Sequence, residues 1–354
     1  MTGSTPARAF APGRVNLIGE HTDYTGGWCL PMAIDLGTTV DWEPDDSSGF
    51  IDVCSRQESP GARLALADLP TGERVRMVEP PWVRYVAASV ALALPRTGGV
   101  LRIDSTLPIG AGVSSSTSLG IAVAVALGFE APPLEFARAC QRSEQQACGV
   151  PGGLLDQIAI IAATEHHALL LDCGRTTWRQ VAIPEGATVF LVDSGEPRRL
   201  ATSQYAARRA DCDAAAARLG PLGAATLADL AMLDDARLVR RARHVITENA
   251  RTVAAAAALE AGDLELAGAL MNESHASLAE DFDVSTTSLD KLAATLRRVP
   301  GVVGARLTGA GFGGCVVALG EAGVALPAGL GTRSWQVRAS AGASRIATGE
   351  RHGH

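Results

Sequence analysis

The run Gly13-Arg14-Val15-Asn16-Leu17-Ile18-Gly19-Glu20-His21-Thr22-Asp23-Tyr24-Thr25-Gly26-Gly27 constrains this chain more than any other. An apolar, strand-like stub, Val15 to Ile18, leads directly into Glu20, His21 and Asp23, with glycines on both sides. Carboxylates beside a buried strand are costly unless they are paired or hydrogen-bonded. The cluster is therefore either a solvated turn or a built site. Two further glycine-rich segments, far away in sequence, favour the built site.

At 354 residues the chain is long for one core, so two domains are expected, divided near 175–185 into 1–180 and 181–354. The net charge of −7 argues against a nucleic-acid partner, whose protein footprint is basic. No segment approaches ~20 uninterrupted apolar residues, so no membrane span is expected. Met1 to Phe10 lacks the apolar core of a secretory signal. The seven cysteines are scattered without paired metal spacing, which points to a reduced, cytoplasmic protein with buried thiols. Lys291 is the only lysine. A Walker-A loop and a protein-kinase strand each need a lysine in a defined context that Lys291 lacks. Leu289, Leu292 and Leu296 have helical spacing around it, so it reads as a solvated helix face.

Apolar and polar residues alternate through 10–56, with turn signals at Gly26-Gly27 and Pro44 to Gly49, which predicts several strands. Helices are expected at Trp82–Leu94, Ser118–Leu127, Leu134–Cys148 (stopped by Gly149) and Gly153–Ala163. Short buried strands are expected at Val100–Ile103, Ala168–Asp172 and Val189–Val192. Thr202 to Leu278 reads as almost entirely helical, broken at Gly220-Pro221, and Pro300 closes that block. Val302–Leu307 and Cys315–Leu319 read as strands. The mixture is α+β.

The second glycine-rich segment is Leu107-Pro108-Ile109-Gly110-Ala111-Gly112-Val113-Ser114-Ser115-Ser116-Thr117-Ser118, between a strand and a helix. Glycines let the backbone approach a ligand closely, and the first amides of a helix are unpaired donors at its positive end. That combination suits phosphate. A serine cap on a flexible loop is the plainer alternative, yet the serine run exceeds what capping needs. The third segment, Gly309 to Gly314, matches GxGxxG literally. It runs into a strand instead of opening a helix, and only about forty residues follow, scant for half a dinucleotide fold. A hairpin packed against the phosphate loop is expected. The fourth, Gly152-Gly153-Leu154-Leu155-Asp156-Gln157, puts an acid just inside a helix N-terminus, where a plain cap is the bland reading. Phosphoryl transfer needs oxygen ligands for magnesium, a positive group and a positioned acceptor. Glu144, Ser116, Arg14 and Asp156 are residues of those types.

The ordered set of segments resembles the GHMP family of small-molecule kinases along essentially the whole chain, and in particular its galactose-phosphorylating branch. Gly13–Gly27 resembles that branch's sugar signature, with Thr25 where asparagine is usual. Pro108–Ser118 resembles the ATP-phosphate loop and Leu307–Cys315 the third motif. Trp82-Val83-Arg84-Tyr85-Val86 is similar to the segment beside the adenine pocket. Arg199-Leu200-Ala201-Thr202-Ser203-Gln204-Tyr205 is similar to the run that carries a sugar-contacting tyrosine. Phe282 stands where a tyrosine is common.

The resemblance implies a two-domain GHMP-kinase-like fold with its active site in the interdomain cleft. It implies ATP- and Mg2+-dependent phosphorylation of the anomeric hydroxyl of galactose. Asp156 would sit at that hydroxyl as base or orienting anion, with Arg14 beside it. Glu20, His21, Asp23, Gly153 and Tyr205 would contact the sugar. Trp82, Pro108, Gly110, Ala111, Gly112, Val113, Ser114, Ser115 and Ser116 would serve ATP, and Ser116 with Glu144 would hold the metal. A small sugar and ATP are the expected partners, and a monomer or weak homodimer the expected assembly. A related kinase acting on N-acetylgalactosamine or arabinose, and a non-catalytic galactose and ATP sensor, stand as alternatives.

Overall fold

A computed structural model describes residues 5–108, 110–150, 152–197 and 201–347, with the backbone alone for 201–203. Ile109 of the second glycine-rich segment, and Arg199 and Leu200, lie outside the described residues.

The strands are β1 (Ala7–Asn16), β2 (Trp28–Cys29), β3 (Pro31–Asp45), β4 (Phe50–Ser55), β5 (Ala62–Ala65), β6 (Gly98–Ser105), β7 (His167–Asp172), β8 (Thr177–Ala182), β9 (Ala187–Asp193), β10 (Val302–Leu307), β11 (Cys315–Glu321), β12 (Arg333–Val337) and β13 (Ser344–Ile346). The helices are α1 (Val83–Ala93), α2 (Ser115–Ala126), α3 (Pro133–Cys148), α4 (Leu155–Ala162), α5 (Ala201–Leu219), α6 (Ala236–Glu260), α7 (Leu264–Glu280) and α8 (Thr287–Leu296). Strand order is β13-β1-β3-β6-β4-β5 in one sheet, β10-β11-β9-β12 in a second and β2-β7-β8 in a third.

Each large sheet buries one core under helices. Val40, Trp42, Ile51 and Leu101 pack with Val86 and Val90 of α1 and Ile121 and Val123 of α2. Phe190, Val192, Val316 and Ala318 pack with Val245 of α6, Leu278 of α7 and Leu289 of α8. A third cluster joins the two halves. It combines Val15, Leu17, Met32 and Val113 with Leu191, Val317, Ala255 and Met271. Burial of such side chains contributes roughly 1.5–3 kcal/mol each, so the seam is well fastened.

That seam positions the far end of β1. The β1–β3 register shifts between Pro12 and Gly13. A Cβ on Gly13 would lie 2.4 Å from a Leu107 methyl and 2.8 Å from the Val113 carbonyl oxygen. Only glycine lets β1 come this close to the loop before α2. The shift re-aims the strand, as bulges do, and Arg14 N–H donates to the Val113 carbonyl at 3.1 Å.

Most expected elements are present. The α3 helix has Pro133 at its first position and ends on Gly149 at φ 74°, the proline-first, glycine-last pattern. Gly309 to Gly314 forms the turn of the β10–β11 hairpin. The hairpin's backbone donates to Glu20 from Gly309, to the Val284 carbonyl from Phe312 and to the Glu196 carbonyl from Gly314. Its hydrogen bonds thus run to the acid turn and its surroundings. The strands β5, β8, β12 and β13 had no counterpart in the sequence reading. β12 pairs with β9 and β13 with β1, so the end of the described chain returns to the first sheet. No helix among the described residues is long and apolar enough to cross a membrane.

Candidate active site

The four chemistry-bearing segments meet around one cavity of about 490 Å3. The strand β1 and the turn after it supply Arg14, Asn16, Glu20, His21 and Asp23. The loop before α2 supplies Gly110, Gly112 and Ser114, and the first turn of α2 supplies Ser115 and Ser116. Glu144 enters from α3, Gly153 and Asp156 from the start of α4. The second half of the chain contributes Tyr205, Gly309 and Ala310. Four expected residues do not line it. Ala111 and Val113 turn their side chains into the seam core, and Pro108 is buried. Trp82 packs against the first core and donates Nε1–H to the Pro60 carbonyl at 3.3 Å. Tyr85, one turn further along α1, instead lines a small cavity that it shares with Ser116, Thr117 and Glu144.

Asp156 stands at the centre. Arg14 approaches its Oδ1 with Nε and Nη2, both at 2.7 Å, while Nη1 donates to the Gly112 carbonyl at 2.6 Å. Ser114 Oγ donates to Asp156 Oδ2 at 2.6 Å. Ser114 sits in the left-handed region at φ 59° and makes no side-chain cap on α2. Its hydroxyl is therefore spent on Asp156, a role the sequence did not reveal. Burial works against the Arg14 charge, but Asp156, Glu20 and Asp23 outweigh it and raise its pKa.

Glu144 is held by three neutral donors. Ser116 Oγ reaches Oε1 at 2.7 Å; Thr117 Oγ1 and Gln157 Nε2 reach Oε2, both at 2.8 Å. Burial, together with the charge of Asp156, raises its pKa despite these bonds. A buried carboxylate with an adjacent hydroxyl, both hard oxygens, fits Mg2+, which keeps several waters and needs few protein ligands. No cluster of three or more histidine, cysteine or carboxylate ligands occurs among the described residues.

Glu20 and His21 are buried and Asp23 is half-buried at the cavity wall. Burial, then the charges of Asp156 and Glu20, push the Asp23 carboxyl up to about 6. Burial, with His244 nearby, brings His21 down to about 3, so its ring is neutral at ordinary pH. Its Nδ1 lies 3.0 Å from the Tyr24 hydroxyl. Glu20 is 4% exposed, and Asn16 Nδ2 and Gly309 N–H donate to its two oxygens. Thr25 hydrogen-bonds the Thr22 carbonyl at 3.1 Å and so braces the turn. A Cβ on Gly153 would fall 2.2 Å from Asp23 Oδ2, so Gly153 is where α4's approach and the acid turn touch. Tyr205 packs against the rings of His21 and Tyr24, and burial raises its hydroxyl pKa. Phe282 fills the space between His21 and His244, at 4.5 and 4.6 Å between ring centres.

Sequence reasoning missed Asn16, Thr117 and Gln157. Asn16 lay inside the apolar stub, where a lone amide gives little signal. Gln157 follows Asp156 directly, and its partner Glu144 lies on another helix.

Comparison with known proteins shows the family. Residues 1–43 match the galactokinase galactose-binding signature, 83–164 the GHMP kinases N terminal domain and 255–325 the GHMP kinases C terminal family. The chain is 40% identical over 343 residues to a galactokinase of Chloroflexus aggregans, covering 90% of this chain and 85% of that one. It is 41% identical over 330 residues to a galactokinase of a Roseiflexus species, covering 88% and 82%. Its structure is similar to that of Lactococcus lactis galactokinase complexed with galactose, with a TM-score of 0.85, 31% identity and 96% and 95% of the two chains covered. A Methanococcus jannaschii mevalonate kinase, at TM-score 0.70 and 19% identity over 96% and 99% of the chains, shares the fold.

Proposed function

The chain belongs to the galactokinase family of GHMP kinases, and we propose that it transfers the γ-phosphoryl group of ATP to the anomeric hydroxyl of galactose, giving galactose 1-phosphate. The observation that carries this reading is Asp156, gripped by Arg14 and Ser114 in the cavity that also holds the acid turn and the serine loop.

A sugar presents several neutral hydroxyl donors. Glu20 and Asp23 are acceptors of the kind that bind such donors strongly when ionised, and neutral His21 can donate or accept. Gly153 offers a backbone amide and Tyr205 a ring wall. The amides of the Gly110–Ser116 loop, at the start of α2, suit the phosphates of ATP. Glu144 and Ser116 would hold Mg2+, which supplies charge neutralisation at the phosphates. Phosphoryl transfer asks for little covalent help, so positioning and electrostatics do most of the work. Asp156 would take the acceptor proton or aim the hydroxyl. Arg14 pairs with that carboxylate and would present a positive charge to the transferring group.

Residues 1–180 and 181–354 would act as the two domains, with the last strand returning to the first. The seven free cysteines favour a cytoplasmic location, and a monomer or weak homodimer suffices, since one chain supplies every group invoked.

The test is ATP consumption in magnesium buffer with galactose, glucose, N-acetylgalactosamine and arabinose, with the phosphate position found by NMR. Galactose-dependent formation of the 1-phosphate is expected. Turnover of another sugar would move the substrate, and binding of galactose and ATP without turnover would make the protein a sensor.

A further inference from the structure

Behind the acid turn lies a buried set of charges that the reaction above does not use. Arg306, on β10, is completely buried and does not line the cavity. Its Nη1 donates to the carbonyl oxygens of Asn16 at 3.1 Å and Leu17 at 3.2 Å, and stands 3.6 Å from Glu20 Oε1. Its Nε donates to Ser274 Oγ at 3.1 Å, and Nη2 lies 4.0 Å from Glu248 Oε1.

Glu248, on α6, is equally buried. Its Oε1 accepts from Gly19 N–H at 3.0 Å and Ser274 Oγ at 2.6 Å, and its Oε2 from Arg251 Nε at 2.9 Å. His244 puts Nε2 3.1 Å from the Glu20 carbonyl oxygen. Backbone groups at residues 16, 17, 19 and 20 are thus each met by a side chain from β10 or α6.

Burying a guanidinium costs several kcal/mol, recovered only when its donors are well used. Here Nε is spent on a serine and Nη1 on two backbone carbonyls, while Nη2 makes no hydrogen bond and faces the Glu248 carboxylate as its counter-charge. A lysine would supply the charge without the rigid fork that reaches these acceptors together. We infer that Arg306 is a positioning residue for the sugar acceptor: with Glu248 as counter-charge, it fixes the backbone from Asn16 to Glu20 and aims the Glu20 carboxylate into the cavity. The second half of the chain thereby sets the shape of a pocket whose acidic sugar ligands come from the first. This inference rests on the sugar-binding reading of Glu20.

Arg306→Lys, Glu20→Gln and the double variant test it, with folding followed by circular dichroism and melting. In Arg306→Lys the KM for galactose is expected to rise about tenfold or more while that for ATP stays within about twofold. The rise should shrink clearly when Glu20 is already glutamine, because the residues act through one another. Equal rises in both KM values, additive effects, or a lower melting temperature with unchanged galactose KM would each overturn the inference. If Arg306→Lys does not fold, Ser274→Ala removes one hydroxyl from the same junction and keeps every charge. A rise in galactose KM alone then supports the inference, and no rise overturns it. Failure of the underlying reading looks different: the unmutated protein would neither bind nor turn over galactose, which would overturn both.

Discussion

Arg14 and Ser114 hold opposite oxygens of Asp156, the guanidinium on Oδ1 at 2.7 Å and the hydroxyl on Oδ2 at 2.6 Å. Because Ser114 belongs to the glycine-serine loop and Arg14 also grips Gly112 of that loop at 2.6 Å, the loop and the carboxylate form one unit. The left-handed backbone at Ser114 is what turns its hydroxyl away from α2 and towards Asp156.

Ser114→Ala removes the Oδ2 donor and leaves the ion pair. A hydrogen bond to a charged group is worth roughly 1.5–3 kcal/mol, so kcat is expected to fall about tenfold or more, with galactose KM little changed. Steady-state kinetics check this; a change confined to the KM for ATP would mean that Ser114 serves the phosphates alone.

Gly153→Ala places a methyl group where Asp23 Oδ2 now lies. The carboxylate must move. Galactose KM is expected to rise about tenfold or more while the KM for ATP holds within about twofold, and the fold survives because the displaced atom ends a side chain.

The pH dependence follows from Asp23. With its carboxyl raised to about 6 by burial, it takes up a proton as pH falls through that value and loses acceptor capacity for sugar hydroxyls. The kcat/KM for galactose should fall below about pH 6, and Asp23→Asn should remove that limb, although at low activity. His21, lowered to about 3, is neutral throughout and adds no limb. Stability runs the other way. A raised carboxyl favours folding in its neutral form, so its contribution is complete below the ordinary value of 3.8 and is lost as pH rises through about 6. Asp23→Asn should therefore raise the melting temperature of the sugar-free protein more at pH 8 than at pH 4.

Glu144→Gln removes the charge beside Ser116. The magnesium concentration for half-maximal rate is expected to rise about tenfold or more, with galactose KM unchanged. A rate that responds to magnesium as before would take Glu144 out of the metal site.

Much of the site was legible because its chemistry is local in sequence. Glu20, His21 and Asp23 follow a buried strand within a few residues, and the serine run sits between a strand and a helix. Long-range partnerships were not legible. Nothing near Glu144 announces Thr117 or Gln157, and nothing near Asn16 announces Arg306, whose partner residues lie at the far end of the chain. Trp82, expected beside the nucleotide, packs against the first core and does not line the main cavity. In the fold, β12 and β13 escaped because they are short and mostly exposed, so pairing with β9 and β1 defines them where no apolar alternation does.

Asp156→Asn is the most direct measurement. Asparagine keeps the shape and loses the charge and the proton-accepting capacity. If Asp156 receives or aims the acceptor proton, galactose-dependent ATP turnover falls about a thousandfold, while circular dichroism and galactose binding by calorimetry remain close to those of the unmutated protein. Near-normal turnover in a folded, galactose-binding Asp156→Asn protein would contradict the role given to this residue and, with it, the mechanism.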